Sequence, residues 1–164
     1  MSDILQQFMS RDAGPAVQFI KYAICGGVAT AVHIVVFHIF AWRILPALQA
    51  NDWAVELLKL EVAQEDDATR ARNSMINNAI AFVFSNLTAY VLNILWVFHP
   101  GRHAWYVEIA LFYLVSGVSM FIGTALMGFL IRRYGVRTTY AFLSNLVISL
   151  LINFAMRKFV IFKS

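Results

Sequence analysis

Long apolar segments dominate the pattern of hydrophobic and polar positions along this chain. Between charged residues, four apolar stretches cover residues 19–42, 76–98, 107–131 and 140–162. Each is longer than the roughly 20 residues that a helix needs to cross a hydrocarbon core about 30 Å thick. The pattern predicts an all-α integral membrane protein whose residues 1–164 form one domain of four transmembrane helices.

The connections between these spans predict two helical hairpins. Spans 2 and 3 are joined by the short sequence His99-Pro100-Gly101-Arg102-His103, and spans 3 and 4 by residues 132–137. A Pro-Gly turn of this length places consecutive helices antiparallel. Residues 46–73 form a longer, acidic extramembrane loop. Its apolar positions Trp53, Leu57 and Leu58 indicate either an interfacial amphipathic helix or a solvated connector.

Composition and charge agree with a membrane protein. Hydrophobic residues make up 60% of the chain and charged residues 13%, and the net charge is +4. Soluble domains have about 25% charged residues. The basic residues stand at span ends and form no compact patch, so anchoring to membrane lipids explains them better than a nucleic-acid partner does. The counts of Lys and Arg on the two sides do not decide the orientation.

Polar residues recur at helical spacing within spans 2 and 4. In span 4, Asn145, Ser149, Asn153 and Arg157 follow one another every four residues, which places them along one helix face. Span 2 carries a looser series: Asn78, Ser85, Asn86, Tyr90 and Asn93. Two interpretations are open for these side chains, hydrogen bonding between helices and a polar pathway for a substrate.

Small residues recur at the same spacing in spans 1 and 3. Ala23, Gly27 and Ala31 form one such face, and Thr124 and Gly128 form another. Small faces let helices approach closely, so we expect a homodimer or larger oligomer that uses residues 26–31 or 124–128. Small faces on spans 1 and 3 with polar stripes on spans 2 and 4 are also what a repeat of one hairpin would produce.

The candidate chemistry of the chain is sparse. His33 and His38 lie within span 1, where a titratable side chain is a functional candidate, although a packed, neutral ring is the better interpretation of His38. His99 and His103 are separated by Pro-Gly and lack further ligands, so no metal site is predicted. No nucleophile elbow, phosphate loop or carboxylate pair is present. We therefore expect neither an enzyme nor a cofactor.

Three short motifs at span ends resemble the GtrA family. These are the run 19–30, which contains Lys21-Tyr22 and Gly26-Gly27; the run 90–98, Tyr-Val-Leu-Asn-Ile-Leu-Trp-Val-Phe; and the run 153–162, Asn-Phe-Ala-Met-Arg-Lys-Phe-Val-Ile-Phe. Their order and spacing extend the resemblance over the chain outside the acidic loop. Two positions depart from the family pattern, Ile94 in place of an Arg and Val160 in place of an aromatic residue.

The resemblance implies a protein of the bacterial inner membrane with both termini in the cytoplasm. It would flip a polyprenyl-phosphate-linked monosaccharide for synthesis or modification of cell-envelope polysaccharide. Alternatively, it would be a membrane anchor for the glycosyltransferase that makes such a lipid. A third hypothesis, a small proton-coupled multidrug exporter, fits the size, but the acid that such proteins carry in their first span is missing.

Under the first hypothesis the site residues can be predicted by position. Cations at one membrane face would bind the lipid phosphate, and they are Arg157, Lys158, Lys21 and Arg102. Arg157 would be the main contact, Lys21 its helper, and Glu108 the acid that orients one of them. The sugar headgroup would follow polar side chains through the bilayer: Tyr90, Asn93, Asn145, Ser149 and Asn153.

Overall fold

The computed structural model describes the backbone of residues 2–134 and 138–162, and it is all-helical over these ranges apart from turns and loops. Among them, the side chains of residues 2–4, 53, 67, 71, 75, 124, 127, 128, 130–132 and 138–146 lie outside the description. The α-helices, in chain order, are α1 (Ser2–Met9), α2 (Pro15–Arg43), α3 (Trp53–Leu58), α4 (Asp67–Leu92), α5 (Trp105–Tyr134) and α6 (Thr138–Met156). Two π-helical turns follow α4 and α6, namely π1 (Asn93–Val97) and π2 (Arg157–Ile161).

The all-α membrane class predicted from the sequence is confirmed. Within the described residues, three helical stretches have the length and apolar character needed to cross a bilayer: Pro15–Arg43, Ala68–Val97 and Trp105–Gly123. Helix α6, with 19 residues, packs against α5. Its assignment as the fourth span stays a prediction.

The chain divides into two compact units. The first comprises Met1–Cys25 with Tyr90–Ser164, and the second comprises Gly26–Ala89.

In the first unit, the turn between π1 and α5 depends on glycine. Gly101 has a backbone φ of +98°, a left-handed conformation that a residue without a Cβ adopts without strain. Pro100 cannot continue a helix. The Pro-Gly pair therefore ends one helix and allows the next to begin at Trp105.

In the second unit, the acidic connector has more structure than a solvated loop would have. Helix α3 forms within it, and Ala54 and Val55 are buried, whereas Leu57 and Leu58 are exposed. The buried residues Ala41, Leu48 and Val55 form an apolar cluster, and five partly buried side chains pack against it: Phe37, Trp42, Ala47, Leu60 and Val62. This packing, together with the exposed leucines, favours the interfacial helix of the two alternatives.

Side-chain hydrogen bonds tie the connector to the helices of the second unit. The amide nitrogens of Asn73 and Asn77 donate to the carbonyl oxygens of Pro46 and Leu45, at 2.8 and 2.9 Å. The indole N–H of Trp42 donates to the carbonyl oxygen of Glu61 at 2.9 Å. The loop backbone thus receives donors from both α2 and α4.

Helix α4 begins nine residues before the predicted span, because Asp66 caps it. One oxygen of the Asp66 carboxylate accepts from the backbone N–H groups of Ala68 and Thr69, at 3.0 and 3.1 Å. The other oxygen accepts from the Thr69 hydroxyl at 2.7 Å. These bonds satisfy N–H groups that have no partner within the helix. Residues 67–73, expected in the loop, are therefore helical.

The cap makes the start of α4 sensitive to acid. Hydrogen bonds from the side chain and the backbone N–H of Thr69 lower the pKa of the Asp66 carboxyl below its usual value. This pKa is depressed in the folded state. The cap therefore contributes fully to stability above the ordinary aspartate pKa, about 3.9, and this contribution is lost as the pH falls through the pKa of the folded state. Asp66→Asn keeps an acceptor oxygen but cannot titrate. In this variant we expect the Ala68 and Thr69 amide chemical shifts in NMR spectra to stay constant as the pH falls, whereas those of the parent should change. An identical acid-induced change in parent and variant would contradict the prediction.

Candidate functional site

Arg157 is held in the interior of the first unit by three neighbouring side chains. Its Nη1 donates to the hydroxyl of Tyr22 at 3.0 Å, and its Nη2 donates to the hydroxyl of Ser116 at 2.9 Å. The guanidinium carbon lies 3.6 Å from the centre of the Phe112 ring, a cation–π contact. Only 6% of the residue is exposed. Within the described residues, no carboxylate forms an ion pair with this cation.

The positions of these neighbours follow from helix geometry. Phe112 and Ser116 are four residues apart, so they lie one above the other on one face of α5. Tyr22 comes from the first turns of α2, and Arg157 begins π2. The π-turn is closed by a hydrogen bond from the N–H of Phe162 to the carbonyl oxygen of Arg157, at 2.9 Å. Such turns are rare and occur often at functional sites.

Lys21 is the second buried cation of the first unit. Its ammonium group donates to the carbonyl oxygen of Ser10 at 2.6 Å and lies 5.2 Å from the centre of the Trp96 ring. The side chain is fully buried, and no ion pair joins it to a carboxylate in the described part of the chain. Lys21 precedes Tyr22, so consecutive residues of α2 provide a cation and a ligand of the other cation.

In the described part of the chain, the hydrogen bonds of Glu108 lead to a turn and to Tyr90 and to neither cation, so its orienting role stays a prediction. One of its oxygens accepts from the backbone N–H groups of Gly101, Arg102 and His103, at 2.7, 3.1 and 3.4 Å. The other accepts from the Tyr90 hydroxyl at 3.3 Å. The carboxylate is buried, and the N–H groups of the turn take up its acceptor capacity.

Donors from outside each π-turn bind the carbonyl groups at its end. For π1, Arg11 donates to Leu95 and Gln18 donates to Val97, at 3.3 and 3.2 Å. For π2, Arg102 donates to the carbonyl of Phe159, and His103 donates to that of Val160. Terminal carbonyls have no partner within their own helix, so side chains from elsewhere satisfy them.

Arg102, which the sequence predicted as a phosphate contact, makes a contact within the protein. Its guanidinium is exposed and binds the carbonyl of Phe159 at the end of π2. Lys158, the other predicted cation, is half-buried, with its ammonium 5.7 and 5.9 Å from the ring centres of Phe154 and Phe159. Within the described residues, neither of the two is joined to Arg157 by a hydrogen bond.

The residue after each π-turn is a buried phenylalanine. The rings of Phe98 and Phe162 stack with centres 5.1 Å apart and planes 12° apart. Tyr90 packs on this pair, with its ring centre 6.2 Å from that of Phe162. Both phenylalanines have extended backbone, so each marks the point where a helix ends. The stack joins the ends of π1 and π2.

The predicted polar pathway residues have partners of several kinds. Ser149 donates from its hydroxyl to the carbonyl of Ser119 on α5 at 3.2 Å, a bond between helices. Asn153 donates to the carbonyl of Ser149 in its own helix at 2.9 Å, while its buried side-chain oxygen has no hydrogen-bond partner among the described residues. Asn93 is fully buried at the start of π1. The side chain of Asn145 lies outside the described residues.

Sequence reasoning missed Tyr22, Ser116 and Phe112 as the residues that hold Arg157. A usable pattern was present in span 3, where Glu108, Phe112, Ser116 and Ser119 follow helical spacing. Tyr22 gave no such indication, because an aromatic residue within an apolar span is indistinguishable from a packing residue. Its role depends on which helix lies opposite, and spacing along one helix cannot decide that.

One comparison with known proteins gave a match. The family model described as GtrA/DPMS, transmembrane domain, matches residues 69–162, more than half of the chain. The chain belongs to this GtrA/DPMS transmembrane-domain family. The resemblance inferred from the sequence is thus confirmed.

The matched range shows which parts of the resemblance the GtrA/DPMS family model includes. It contains the motifs at 90–98 and 153–162, and with them both π-turns and Arg157. The motif at 19–30 lies before the matched range and stays a prediction. Searches among curated proteins and among solved structures returned no match.

The geometry of Glu108 predicts the effect of removing its carboxylate from this GtrA-family protein. In Glu108→Ala, the three N–H groups of the turn lose a charged acceptor, and a hydrogen bond to a charged group is worth about 1.5–3 kcal/mol. We expect a clear loss of thermal stability in detergent, measured by the unfolding transition. Tyr90→Phe, which removes only the 3.3 Å bond to the same carboxylate, is the matched control and should lose much less. Equal losses in the two variants would contradict the structural role assigned to Glu108.

Proposed function

We propose that this GtrA-family protein flips a polyprenyl-phosphate-linked monosaccharide across the bacterial inner membrane, for synthesis or modification of cell-envelope polysaccharide. On this proposal, both termini are cytoplasmic, and Arg157 and Lys21 lie towards the cytoplasmic face. The function involves movement without a covalent step, so neither catalytic residues nor a cofactor are required. The observation that carries the proposal is the environment of Arg157.

A buried guanidinium without a carboxylate attracts an anion. Arg157 has two hydroxyl groups and an aromatic face around it, which are neutral, and its Nε has no hydrogen-bond partner. Placing an arginine in the membrane costs about 2.5–3.5 kcal/mol on insertion scales. A lipid phosphate would offset this cost, because a guanidinium binds phosphate oxygens through two parallel N–H donors.

Access to the cation requires a side chain to move. Arg157 is almost fully buried between the ring of Phe112 and Tyr22, so a phosphate reaches it only when one of them rotates away. Because Tyr22 follows Lys21 directly, a rotation at this point of α2 affects the surroundings of both cations. This arrangement supports a carrier that alternates between a closed and a loaded state.

The headgroup pathway would use the polar side chains of α4, π1 and α6. The buried oxygen of Asn153 that lacks a partner is an acceptor for a sugar hydroxyl, four residues from Arg157 along the chain. Tyr90, Asn93, Asn145 and Ser149 are the other members of the proposed pathway. The polyprenyl chain can remain among the membrane lipids, so only the phosphate and the sugar need protein contacts.

The proposal predicts that Arg157 cannot be replaced by another cation. In Arg157→Lys the point charge remains but the planar pair of donors is lost. We therefore expect binding and flipping of a labelled lipid-linked sugar in liposomes to fall at least about tenfold. Arg157→Ala, which also loses the charge, should lower both further. Arg43→Ala, which removes an arginine at the other end of α2, is the matched control and should keep the parent rate. Membrane levels and stability of all variants are compared first.

Two results would overturn this proposal. If Arg157→Lys and Arg157→Ala bind and flip the lipid as the parent does, Arg157 is not the phosphate contact. If the pure parent protein moves no lipid above empty vesicles but retains a glycosyltransferase in mild detergent, the chain is the membrane anchor considered as the alternative. An anchor would also keep its partner after the side chains of Ser149 and Asn153 are removed.

We also propose that the chain forms a homodimer or larger oligomer through the small-residue face at 26–31, with the face at 124–128 as the other candidate. A Cβ added at Gly26 or Gly27 would meet no atom within 4 Å, so these glycines are not close-packed within their own subunit. We expect Gly27→Leu to lower the oligomer mass in native mass spectrometry, because a leucine prevents close helix approach. Gly117→Leu, at an equally open glycine of α5, is the control. A monomeric parent would contradict the proposal.

A further inference from the structure

A membrane-embedded histidine of the second unit makes hydrogen bonds through both ring nitrogens. The Nδ1 of His33 lies 3.2 Å from the hydroxyl of Ser85, and its Nε2 lies 3.0 Å from the side-chain oxygen of Asn78. His33 belongs to α2, whereas Asn78 and Ser85 belong to α4. We refer to these three residues as the His33 cluster. The function proposed above does not use this cluster.

The hydroxyl of Ser85 has a second acceptor within reach. It lies 3.1 Å from the carbonyl oxygen of Phe82, three residues earlier in α4. A hydroxyl has one proton, so it can donate either to this carbonyl or to the ring nitrogen of His33, and its oxygen can accept in either case. The position of this proton depends on the protonation state of the imidazole.

The His33 cluster therefore accommodates both forms of the ring. When the imidazole is neutral, Nε2–H donates to Asn78 and the Ser85 hydroxyl donates to Nδ1. When the imidazole is protonated, Nδ1–H donates to the Ser85 oxygen, and the hydroxyl proton turns to the carbonyl of Phe82. The hydrogen bonds from the ring to Asn78 and Ser85 persist in both forms, so protonation of the imidazole breaks neither of them.

The cluster lies deep in the membrane and away from charged residues of its two helices. His33 is ten residues before Arg43, about 15 Å along the helix, which is half the thickness of the hydrocarbon core. The residues of α4 that face it, Asn78 and Ser85, do not titrate. The nearest charged residue before Asn78 on α4 is Arg72, and the other titratable groups of α2 nearest to His33 are Cys25 and His38.

His38 differs from His33 in the acceptor of its Nδ1. That nitrogen lies 2.8 Å from the carbonyl oxygen of Ile34, in the same helix. A carbonyl oxygen only accepts, so this nitrogen keeps its proton in both protonation states and no hydroxyl can exchange roles with it. His38 is therefore a matched control on the same helix.

We propose that His33 is a reversible proton-binding site near the middle of the membrane, and that proton binding there is coupled to the transport cycle. The coupling rests on the flipping function proposed above, whereas proton binding at His33 does not. The proton is the ligand, Asn78 and Ser85 are its positioning residues, and the Ser85 hydroxyl is the switch. Because the cluster joins α2 to α4, a change in its hydrogen bonds alters the contact between the two helices.

The first test observes the proton directly. In protein with ¹⁵N-labelled histidine in lipid nanodiscs, followed from about pH 8 to about pH 5, the ring nitrogens of His33 should change from a neutral tautomer to imidazolium. His33→Asn assigns the signals. Ser85→Ala, which leaves Nδ1 without its hydroxyl, should move the Nδ1 resonance of the neutral form. A His33 ring that keeps one protonation state over this range would overturn the proposal.

The second test measures coupling. In liposomes, the ratio of flipping rates at about pH 5.5 and about pH 8 should differ from one in the parent and fall to about one in His33→Asn, because asparagine does not titrate in this range. His38→Asn should keep the ratio of the parent. An unchanged pH dependence in His33→Asn would overturn the coupling. A parent that flips no lipid at any pH would overturn the flipping function instead, and the nuclear magnetic resonance titration then decides the proton site by itself.

Discussion

The structure depends on the constraint that polar groups in the membrane find their partners within the protein. Water is absent from the hydrocarbon core, and a backbone N–H or carbonyl without a partner costs several kcal/mol there. Helices satisfy their own interior groups, so the constraint acts on their ends. Glu108 satisfies N–H groups of the turn that precedes α5, whereas the Asp66 cap at the start of α4 lies in the exposed connector. Side chains from other segments satisfy the carbonyls at the ends of π1 and π2.

This use of polar side chains determines the charge balance of the candidate site. Glu108 is the buried acid of the first unit in the described residues, and its oxygens are occupied by the turn and by Tyr90. The two buried cations, Lys21 and Arg157, are left with neutral ligands: a carbonyl, two hydroxyls and aromatic faces. An interior with more positive than negative charge favours an anionic ligand, and a lipid phosphate is an anion already present in the membrane.

The ends of α4 and α6 are built alike. Each helix continues into a five-residue π-turn, and each turn ends at a buried phenylalanine of the same ring stack. The first residue of each turn is polar and buried, Asn93 in π1 and Arg157 in π2. The likeness supports two hairpins of related design, in which one member carries the cation and the other a neutral amide. The two turns thus differ in charge at their first position.

The sequence by itself determined the membrane class and the family. Apolar length is a property of each segment alone, so the helices could be located without knowledge of their neighbours. The four-residue spacing that ends in Arg157 was readable for the same reason. Helix ends were less readable, because the early start of α4 depends on the Asp66 side chain binding backbone groups that follow it.

Only the tertiary structure decided which groups hold the charges. The neighbours of Arg157 come from two helices, Tyr22 from α2 and both Phe112 and Ser116 from α5, and no periodicity relates residues so far apart. Glu108 was expected beside a cation because opposite charges attract, and the fold places it against the N–H groups of a turn that is close to it in the chain. The hydrogen bonds of His33 across two helices likewise exist only in the fold. Local patterns specify helices, whereas the pairing of polar groups depends on which helices meet.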